Sequence, residues 1–244
     1  PSAARMAAAA PASSSRYAYW SRACRTVATP APASAPAPVP RAQRRRGRRP
    51  RADDIDATMK SLGGFRMGPM ELTDYIGHDV NTATTRTVWN QWEQPDRLAP
   101  SWLQESLVAE GHLGRKSGRG IYDHAGDTPR CAVQVATPRP DVPTDVLAAA
   151  STFTTAATDV EHDDDQAVIF ARILGALINE ATWAAHDGVA SEADIDMAVR
   201  YGVNYPRGLF EWSSAIGPEP VEALLAALDA WSDDHRFQAA PSTA

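Results

Sequence analysis

Residues 111–122, GHLGRKSGRGIY, combine four glycines with three cationic side chains, Arg115, Lys116 and Arg119. Backbone N–H groups in a glycine-rich turn bind phosphate oxygens, and so do cationic side chains. The segment lacks the Gly-x-x-x-x-Gly-Lys-Ser/Thr spacing of a P-loop. Two interpretations remain open, an anion-binding loop and a solvated surface turn, and the spacing by itself favours the turn.

Three further groups of polar residues could carry chemistry, and each has a structural alternative. Residues 162–165, HDDD, could hold a metal ion, but acidic residues also stabilise a helix N-terminus, which is the favoured interpretation. Asn179 and Glu180 lie in an apolar helical segment, where a buried hydrogen-bonded pair or an exposed edge is favoured over a catalytic role. Cys24 and Cys131 have no zinc or disulfide spacing, so we expect no metal site and a reducing, cytoplasmic compartment.

The element that would position the basic loop is residues 63–77, GGFRMGPMELTDYIG. Proline suits the first helical position and glycine favours a helix end, so Pro69 predicts a helix start and Gly77 its stop. The pattern recurs 140 positions later, in residues 202–217. The identical pairs under this shift are Asp54/Asp194, Ile55/Ile195, Asp56/Asp196, Gly68/Gly208, Glu71/Glu211, Ile76/Ile216 and Gly77/Gly217. Such an internal repeat predicts two related structural units.

The two copies differ in the segment that precedes the repeat. An apolar helix is predicted over residues 165–185, whereas its counterpart, residues 25–45, contains five prolines. An interior proline costs about 3 kcal/mol in a helix, so the first copy is expected to lack this helix. Shorter helices are predicted over residues 53–62, 69–76, 80–92, 101–110, 192–201 and 218–231, with a frayed tail after Asp233.

The first 51 residues contain eight prolines and no Leu, Ile or Phe, a composition that predicts disorder. Three interpretations of them stay open. They could be a transit peptide, a basic arm that binds nucleic acid or an anionic surface, or an out-of-frame translation of a GC-rich gene. The third is favoured because the segment contains RRRGRRPR and begins with Pro rather than Met.

The charge of the chain is divided unevenly. Residues 1–52 hold 11 Arg and no Asp or Glu, which leaves 13 Lys and Arg against 30 Asp and Glu in the rest. The acidic body is unlike a nucleic-acid-binding domain. No apolar run in the sequence reaches the roughly 20 residues that span a bilayer, so we expect no membrane partner.

Two motifs carry a family resemblance, MGPMELTDYIGHDV at residues 67–80 and LGRKSGRGIYD at residues 113–123. They resemble the C-terminal domain of the 3-hydroxyacyl-CoA dehydrogenases, whose pattern is roughly G-P-F-E-L-x-D-x-I-G followed by G-x-K-[ST]-G-x-G-F-Y. Met70 and Ile121 replace two phenylalanines of that pattern. The second copy resembles the duplicated domain of the longer bacterial members.

The resemblance implies the functions of that family. Its members oxidise a 3-hydroxyacyl-CoA to a 3-oxoacyl-CoA with NAD, in fatty acid or aromatic-acid catabolism. A Rossmann domain binds NAD and supplies a His–Glu pair, and the helical part closes over the acyl-CoA, supplies an Asn and forms the dimer. This sequence has no Gly-x-Gly-x-x-Gly after a strand, and Ala171 stands where the Asn is expected, so no catalytic residue is assigned. Among the functional residues that the resemblance implies, only the lysine that contacts the bound cofactor has a counterpart in this sequence, Lys116.

The sequence therefore predicts an all-α fold of two related helical units, like the 6-phosphogluconate-dehydrogenase-like C-terminal domain, with the Rossmann domain absent. The predicted divisions are a disordered segment 1–51, a first unit 52–123, a linker 124–164 and a second unit 165–235. The resemblance implies an acyl-CoA substrate and a homo-oligomer. A helical docking module for a separate Rossmann subunit is the alternative function.

Overall fold

The structure, a computed structural model, describes residues 50–133, 141–232 and 235–241. Over these ranges it has nine α-helices and one two-stranded hairpin, as expected for an all-α fold. The first copy contains α1 (Ala52–Gly63), α2 (Pro69–Ile76), α3 (His78–Gln91), α4 (Trp102–Ala109), β1 (Tyr122–Asp123) and β2 (Arg130–Cys131). There follow α5 (Thr144–Ala157), α6 (Asp164–His186), α7 (Glu192–Gly202), α8 (Leu209–Ile216) and α9 (Pro218–Trp231). The disorder predicted for residues 1–51 and the helix loss predicted at 25–45 lie outside the described residues, except at positions 50 and 51.

The sequence repeat is also a structural repeat. Helices α2 and α8 begin and end 140 positions apart, and so do α3 and α9. Both pairs start from the same local chemistry, with a glycine N-cap before α2 and α8 and a positive-φ glycine, Gly77 or Gly217, before α3 and α9. The shift by 140 therefore identifies equivalent positions in three dimensions.

The two copies contact each other at equivalent residues. The ring of Phe65 lies 5.2 Å from the ring of Tyr205, its own counterpart under the shift. It also stacks on Trp212, with 5.5 Å between ring centroids. The aromatic cluster of Phe65, Tyr205 and Trp212 therefore joins the two copies.

Helix α6 is the centre of the core. It packs against α1 of the first copy and against α5, α7, α8 and α9 of the second. Its 23 residues make it the one described helix long and apolar enough to cross a bilayer, contrary to the sequence-based expectation that no such run exists. However, 72% of its most apolar stretch is buried inside the protein, so burial in this core accounts for its composition.

Helix α5 differs from the linker expected over residues 124–164. Its side chains Val146, Ala150 and Phe153 are fully buried and face α6 and α9. These three positions have the spacing of one helical face, but the surrounding alanines and threonines make the apolar pattern weak. The linker prediction is therefore wrong for residues 144–157.

The tail is docked rather than frayed over residues 235–241. Phe237 is buried, and Asn179 on α6 donates its Nδ2–H to the Gln238 carbonyl at 2.9 Å. The Ala240 N–H in turn donates to Asn179 Oδ1 at 3.0 Å. The buried Phe237 and hydrogen bonds from the α6 side chains Asn179 and Trp183 thus hold a terminal segment that is expected from the sequence to fray.

Candidate functional site

A buried carboxylate on α1 fixes the start of α2. Asp56 accepts hydrogen bonds from the backbone N–H groups of Met70 at 2.8 Å and Glu71 at 2.9 Å. The Tyr122 hydroxyl donates a third at 2.7 Å. The first N–H groups of a helix have no acceptor within the helix. Asp56 provides the missing acceptor for the N–H groups of Met70 and Glu71. This arrangement ties α1, α2 and the end of the basic loop together.

A second buried carboxylate, Asp74 near the end of α2, holds the basic loop itself. Its Oδ1 accepts from the Ile121 N–H at 2.8 Å and from His78 Nε2 at 2.8 Å. Its Oδ2 accepts from the Tyr122 N–H at 2.9 Å and from His124 Nε2 at 2.7 Å. The backbone N–H groups of the loop therefore do bind an anion, but that anion is a side chain of the protein.

The other N–H groups of the loop are mostly used within it. The Ser117 hydroxyl accepts from the Leu113 N–H and donates within the loop. The N–H groups of Gly114, Gly118 and Gly120 donate to backbone carbonyls of the loop. These N–H groups are therefore engaged within the loop and do not face a phosphate.

Two glycines allow the loop to approach α2 this closely. A Cβ at Gly114 would lie 2.3 Å from the Asp74 carbonyl oxygen, and one at Gly120 would lie 2.3 Å from Asp74 Oδ1. Gly114 also has φ of +98°, a conformation that side chains disfavour. The spacing of the glycines in the motif thus follows from contact with Asp74.

The environments of the two carboxylates give them opposite pKa shifts. Burial raises the pKa of Asp56 to about 6, although the hydrogen bonds from Tyr122, Met70 and Glu71 counteract part of this. Burial also acts to raise the pKa of Asp74, but the hydrogen bonds from His78, the Tyr122 N–H, His124 and the Ile121 N–H outweigh it. The pKa of Asp74 is therefore below its usual value, and the side chain is an anion at neutral pH.

Two cations of the loop, Arg115 and Lys116, project from this anchored turn and are paired with acidic residues. Lys116 Nζ lies 2.5 Å from Asp79 Oδ1, and hydrogen bonding to Lys116 lowers the pKa of Asp79. Arg115 binds Glu71 at 3.2 Å and lies over the Tyr75 ring. Both cationic side chains are more than two-fifths exposed, so an anionic ligand would have to compete only with exposed ion pairs.

A small cavity of about 180 Å³ lies beside the loop. Its lining includes Leu107, His112, Arg119 and Gly120. Pockets that enclose a small-molecule ligand typically measure roughly 300–1,000 Å³, so this cavity is too small for an acyl-CoA.

The model of the 3-hydroxyacyl-CoA dehydrogenase C-terminal domain matches the chain twice, over residues 48–124 and residues 169–243. The chain belongs to this family. Each match covers one of the two structural copies, so the internal repeat is a duplication of the family domain. The exact limits of the two units, 52–123 and 165–235, remain predictions from the sequence.

Individual relatives agree with the family assignment. The chain is 32% identical over 245 residues to 3-hydroxyadipyl-CoA dehydrogenase of Escherichia coli K12, covering 75% of this chain and 51% of that protein. Human mitochondrial hydroxyacyl-coenzyme A dehydrogenase is 40% identical over 76 residues, which are 30% of this chain and 23% of that protein. The crystal structure of 3-hydroxybutyryl-CoA dehydrogenase from E. coli K12 is similar with a TM-score of 0.64 at 27% identity, over 93% of this chain and 57% of that one. The chain thus spans about half the length of these longer bacterial relatives.

The described part of this dehydrogenase-family chain does not fit a complete NAD site. A dinucleotide pyrophosphate is held by a strand, a glycine-rich turn and a helix, within a parallel sheet. The described residues form only an antiparallel hairpin with two residues in each strand. Ala171, at the position where the family resemblance implies an Asn, is completely buried inside α6.

The remaining sequence-based candidates have structural roles. Asp163 is the N-cap of α6 and accepts from the Gln166 N–H, and no described cluster of three His, Cys, Asp or Glu could hold a metal ion. Glu180 is paired with Arg97 at 3.0 Å, and Asn179 holds the tail, which confirms that both are buried hydrogen-bonded groups.

Three residues that sequence reasoning missed organise the site: Asp74, His78 and His124. Asp74 stands within the α2 motif, and His78 is the first residue of α3, beyond the helix break at Gly77. Their closeness in sequence is a weak signal for the pair, because the helix break removes the spacing of a common helical face. His124 lies 50 positions away, and no local pattern links it to Asp74.

Proposed function

We propose that this chain is the substrate-closing and dimerising part of a 3-hydroxyacyl-CoA dehydrogenase. The complete enzyme would convert a 3-hydroxyacyl-CoA and NAD to a 3-oxoacyl-CoA and NADH, in fatty acid or aromatic-acid catabolism. The observation that carries the proposal is the basic loop, anchored on Asp74 in the copy that retains the family's lysine motif. We also propose that the chain is located in the cytoplasm.

We further propose that the chain alone is inactive. Hydride transfer to NAD needs a dinucleotide site and an acid–base pair beside the substrate. The two histidine–carboxylate contacts at Asp74 do not supply such a pair, because the Nε2 atom of each histidine and both carboxylate oxygens are engaged at the anchor of the loop. His78 is in addition fully buried, so no substrate reaches it.

Lys116 is proposed as the contact to the bound cofactor. It is supported by the exposure of the Lys116 side chain and by the anchored turn that presents it. The lysine forms an ion pair with Asp79 at the start of α3. An anionic group of the cofactor would therefore replace the Asp79 carboxylate as its partner.

The test of inactivity is a steady-state assay of the purified chain with acetoacetyl-CoA and NADH, followed by loss of absorbance of the reduced nicotinamide. We expect no turnover above that of a heat-denatured sample. The complete E. coli relative serves as the positive control in the same assay. NAD-dependent turnover by the purified chain alone would contradict the proposal.

The alternative is a non-catalytic helical module that docks on a separate Rossmann subunit or assembles into a homo-oligomer. It is favoured by the full engagement of the titratable groups around Asp74, which leaves the site structural. Sedimentation velocity of the chain with and without an isolated family Rossmann domain distinguishes the two. A stable complex without activity supports the module, and a complex that restores acetoacetyl-CoA reduction supports the dehydrogenase part.

A further inference from the structure

The buried face of α3 is polar, whereas that of its counterpart α9 is apolar. The buried residues of α3 all have polar side chains, His78, Asn81, Thr82 and Thr85. The buried residues of α9 are all aliphatic, Val221, Leu224, Leu225 and Leu228. Under the shift by 140, Asn81 corresponds to Val221 and Thr85 to Leu225. Equivalent helices of the two copies thus bury opposite kinds of surface.

Helix α4, which packs against α3, also buries a polar side chain. Gln104 on α4 is only 2% exposed. The next residue, Glu105, forms an ion pair with Arg86 on α3 at 2.6 Å, so this part of α4 lies against α3. Polar side chains therefore stand on both sides of the interface between the two helices.

Five polar atoms of these helices are buried without a hydrogen-bond partner among the described residues. On α3 they are Asn81 Oδ1, Thr82 Oγ1 and Trp89 Nε1, and on α4 they are Gln104 Oε1 and Nε2. A buried polar group without a hydrogen bond is costly, so nearly all such groups in proteins are paired, either with protein atoms or with water. These atoms therefore need a partner that the surrounding side chains do not supply.

The three unpaired atoms of α3 belong to one face of the helix. At about 3.6 residues per turn, Asn81, Thr82 and Trp89 fall within about 100° of one another around the axis. At a rise of about 1.5 Å per residue, they extend over about 12 Å along it. This length is several times the roughly 2.8 Å between two hydrogen-bonded oxygen atoms, so more than one small partner fits along the face.

The unpaired atoms define the chemistry of that partner. The Trp89 Nε1–H group can only donate and Asn81 Oδ1 can only accept, whereas the Thr82 hydroxyl and the Gln104 amide can do both. A hard metal cation requires oxygen ligands and an anion requires donors, so neither fits this mixed, uncharged set. Water both donates and accepts, and a buried water molecule typically makes about three hydrogen bonds to polar groups of this kind.

We propose that the interface between α3 and α4 is a binding site for internal water, in which a row of water molecules joins Gln104 to Asn81, Thr82 and Trp89. Water-mediated hydrogen bonds of this kind can replace direct ones at little cost. The aliphatic face of α9 offers no such partners, so the site belongs to the first copy. The inference rests on α3 and α4 and not on the proposed dehydrogenase function.

A crystal structure of the full chain, at a resolution that shows ordered water, is the direct test. We expect electron density for more than one water molecule between α3 and α4, within hydrogen-bonding distance of Gln104 and of Thr82 or Trp89. Direct hydrogen bonds from Gln104 to these side chains, with no solvent density between the helices, would overturn the proposal.

Oxygen-17 magnetic relaxation dispersion tests the same waters in solution, because it detects water that stays inside a protein as the protein tumbles. The double variant Thr82→Val/Gln104→Leu removes three of the five unpaired atoms and should lower the dispersion amplitude. The control variant Thr87→Val/Gln91→Leu makes the same two changes at exposed positions of α3 and should keep the amplitude of the unaltered chain.

Circular dichroism checks that both variants fold. Replacing buried polar groups by apolar groups of similar shape is often nearly neutral for stability, so we expect both helical spectra to be retained. Equal dispersion amplitudes in the two folded variants would contradict the proposal. The crystal structure of the unaltered chain decides the question independently of the folding of either variant.

Discussion

The two copies share one carboxylate anchor, buried at Asp56 and half-buried at Asp196, and differ in the other. Asp56 and Asp196 each accept the N–H groups of the second and third residues of the following short helix, with distances of 2.8–3.0 Å in both copies. Glu71 and Glu211 then bind Lys60 and Arg200 at equivalent places. By contrast, the buried Asp74 has the exposed Ser214 as its counterpart.

The difference separates scaffold from site. The shared anchor joins two consecutive helices in both copies, so it belongs to the fold. The unshared anchor exists only where a basic loop is to be held, since Asp74 contributes to the loop and to the two histidines around it. The first copy is therefore the one with a candidate site, and the second copy supplies the core through α6.

The largest expected effect is at the unshared anchor. Asp74→Ala leaves His78 and the Ile121 and Tyr122 N–H groups buried without an acceptor, and losing one partner of a buried charged network costs about 3–5 kcal/mol. Ser214→Ala at the exposed equivalent should change stability by less than about 0.5 kcal/mol. Urea unfolding measures both free energies. Similar values for the two variants would contradict the distinction between the copies.

The next effect is the pH dependence given by Asp56. Its pKa is about 6 in the folded chain, above the unfolded value of 3.8. The folded state therefore binds the proton more tightly, and this contribution to stability is complete below pH 3.8 and is lost as pH rises through 6. A shift of this size corresponds to about 2–3 kcal/mol. Comparing urea unfolding of the wild type and Asp56→Asn between pH 4 and 7 should show the loss in the wild type only.

Tyr122→Phe sharpens that measurement. Its hydroxyl hydrogen bond lowers the pKa of Asp56, so its removal should move the transition to higher pH. Asp196 has no such hydroxyl partner among the described residues. A transition that stays at the same pH in Tyr122→Phe would show that this bond does not set the titration of Asp56.

A smaller, symmetric effect is expected at the shared anchor. A Cβ at Gly68 would lie 2.2 Å from Asp56 Oδ1, and one at Gly208 would lie 2.2 Å from Asp196 Oδ2. Overpacking of this kind costs roughly 1–3 kcal/mol, so Gly68→Ala and Gly208→Ala should destabilise the chain by similar amounts. Thermal or urea unfolding of the two variants makes the comparison. A large effect in one copy alone would mean that the anchors are not equivalent.

The smallest effect on stability is expected for Lys116→Ala. It removes an exposed ion pair with Asp79, which contributes about 0–1 kcal/mol. Binding of reduced nicotinamide cofactor to the chain, mixed with an isolated family Rossmann domain, should nevertheless weaken. Lys60→Ala removes a comparable exposed ion pair on α1 and should leave binding unchanged. Equal binding by both variants would remove Lys116 from the proposed cofactor contact.

The helices and the repeat were predictable from the sequence because their signals are local. Pro69 and Gly77 mark the two ends of α2, and the shift by 140 identified its counterpart α8 without any contact information. Helix α5 was missed because alanine and threonine dilute the apolar spacing of Val146, Ala150 and Phe153. The site was only partly predictable. The glycines and Lys116 stand in one segment, but Asp74 and His124 are 50 positions apart in the sequence and come together only in the folded chain.

Hydrogen exchange by NMR tests the central claim, that Asp74 holds the basic loop of the first copy. In the wild type the amides of Ile121 and Tyr122 should be protected. In Asp74→Asn, which replaces one acceptor oxygen by a donor, they should exchange faster, while those of Phe210 and Glu211 at the Asp196 anchor keep their protection relative to α6. Unchanged protection of Ile121 and Tyr122 in Asp74→Asn would contradict the account.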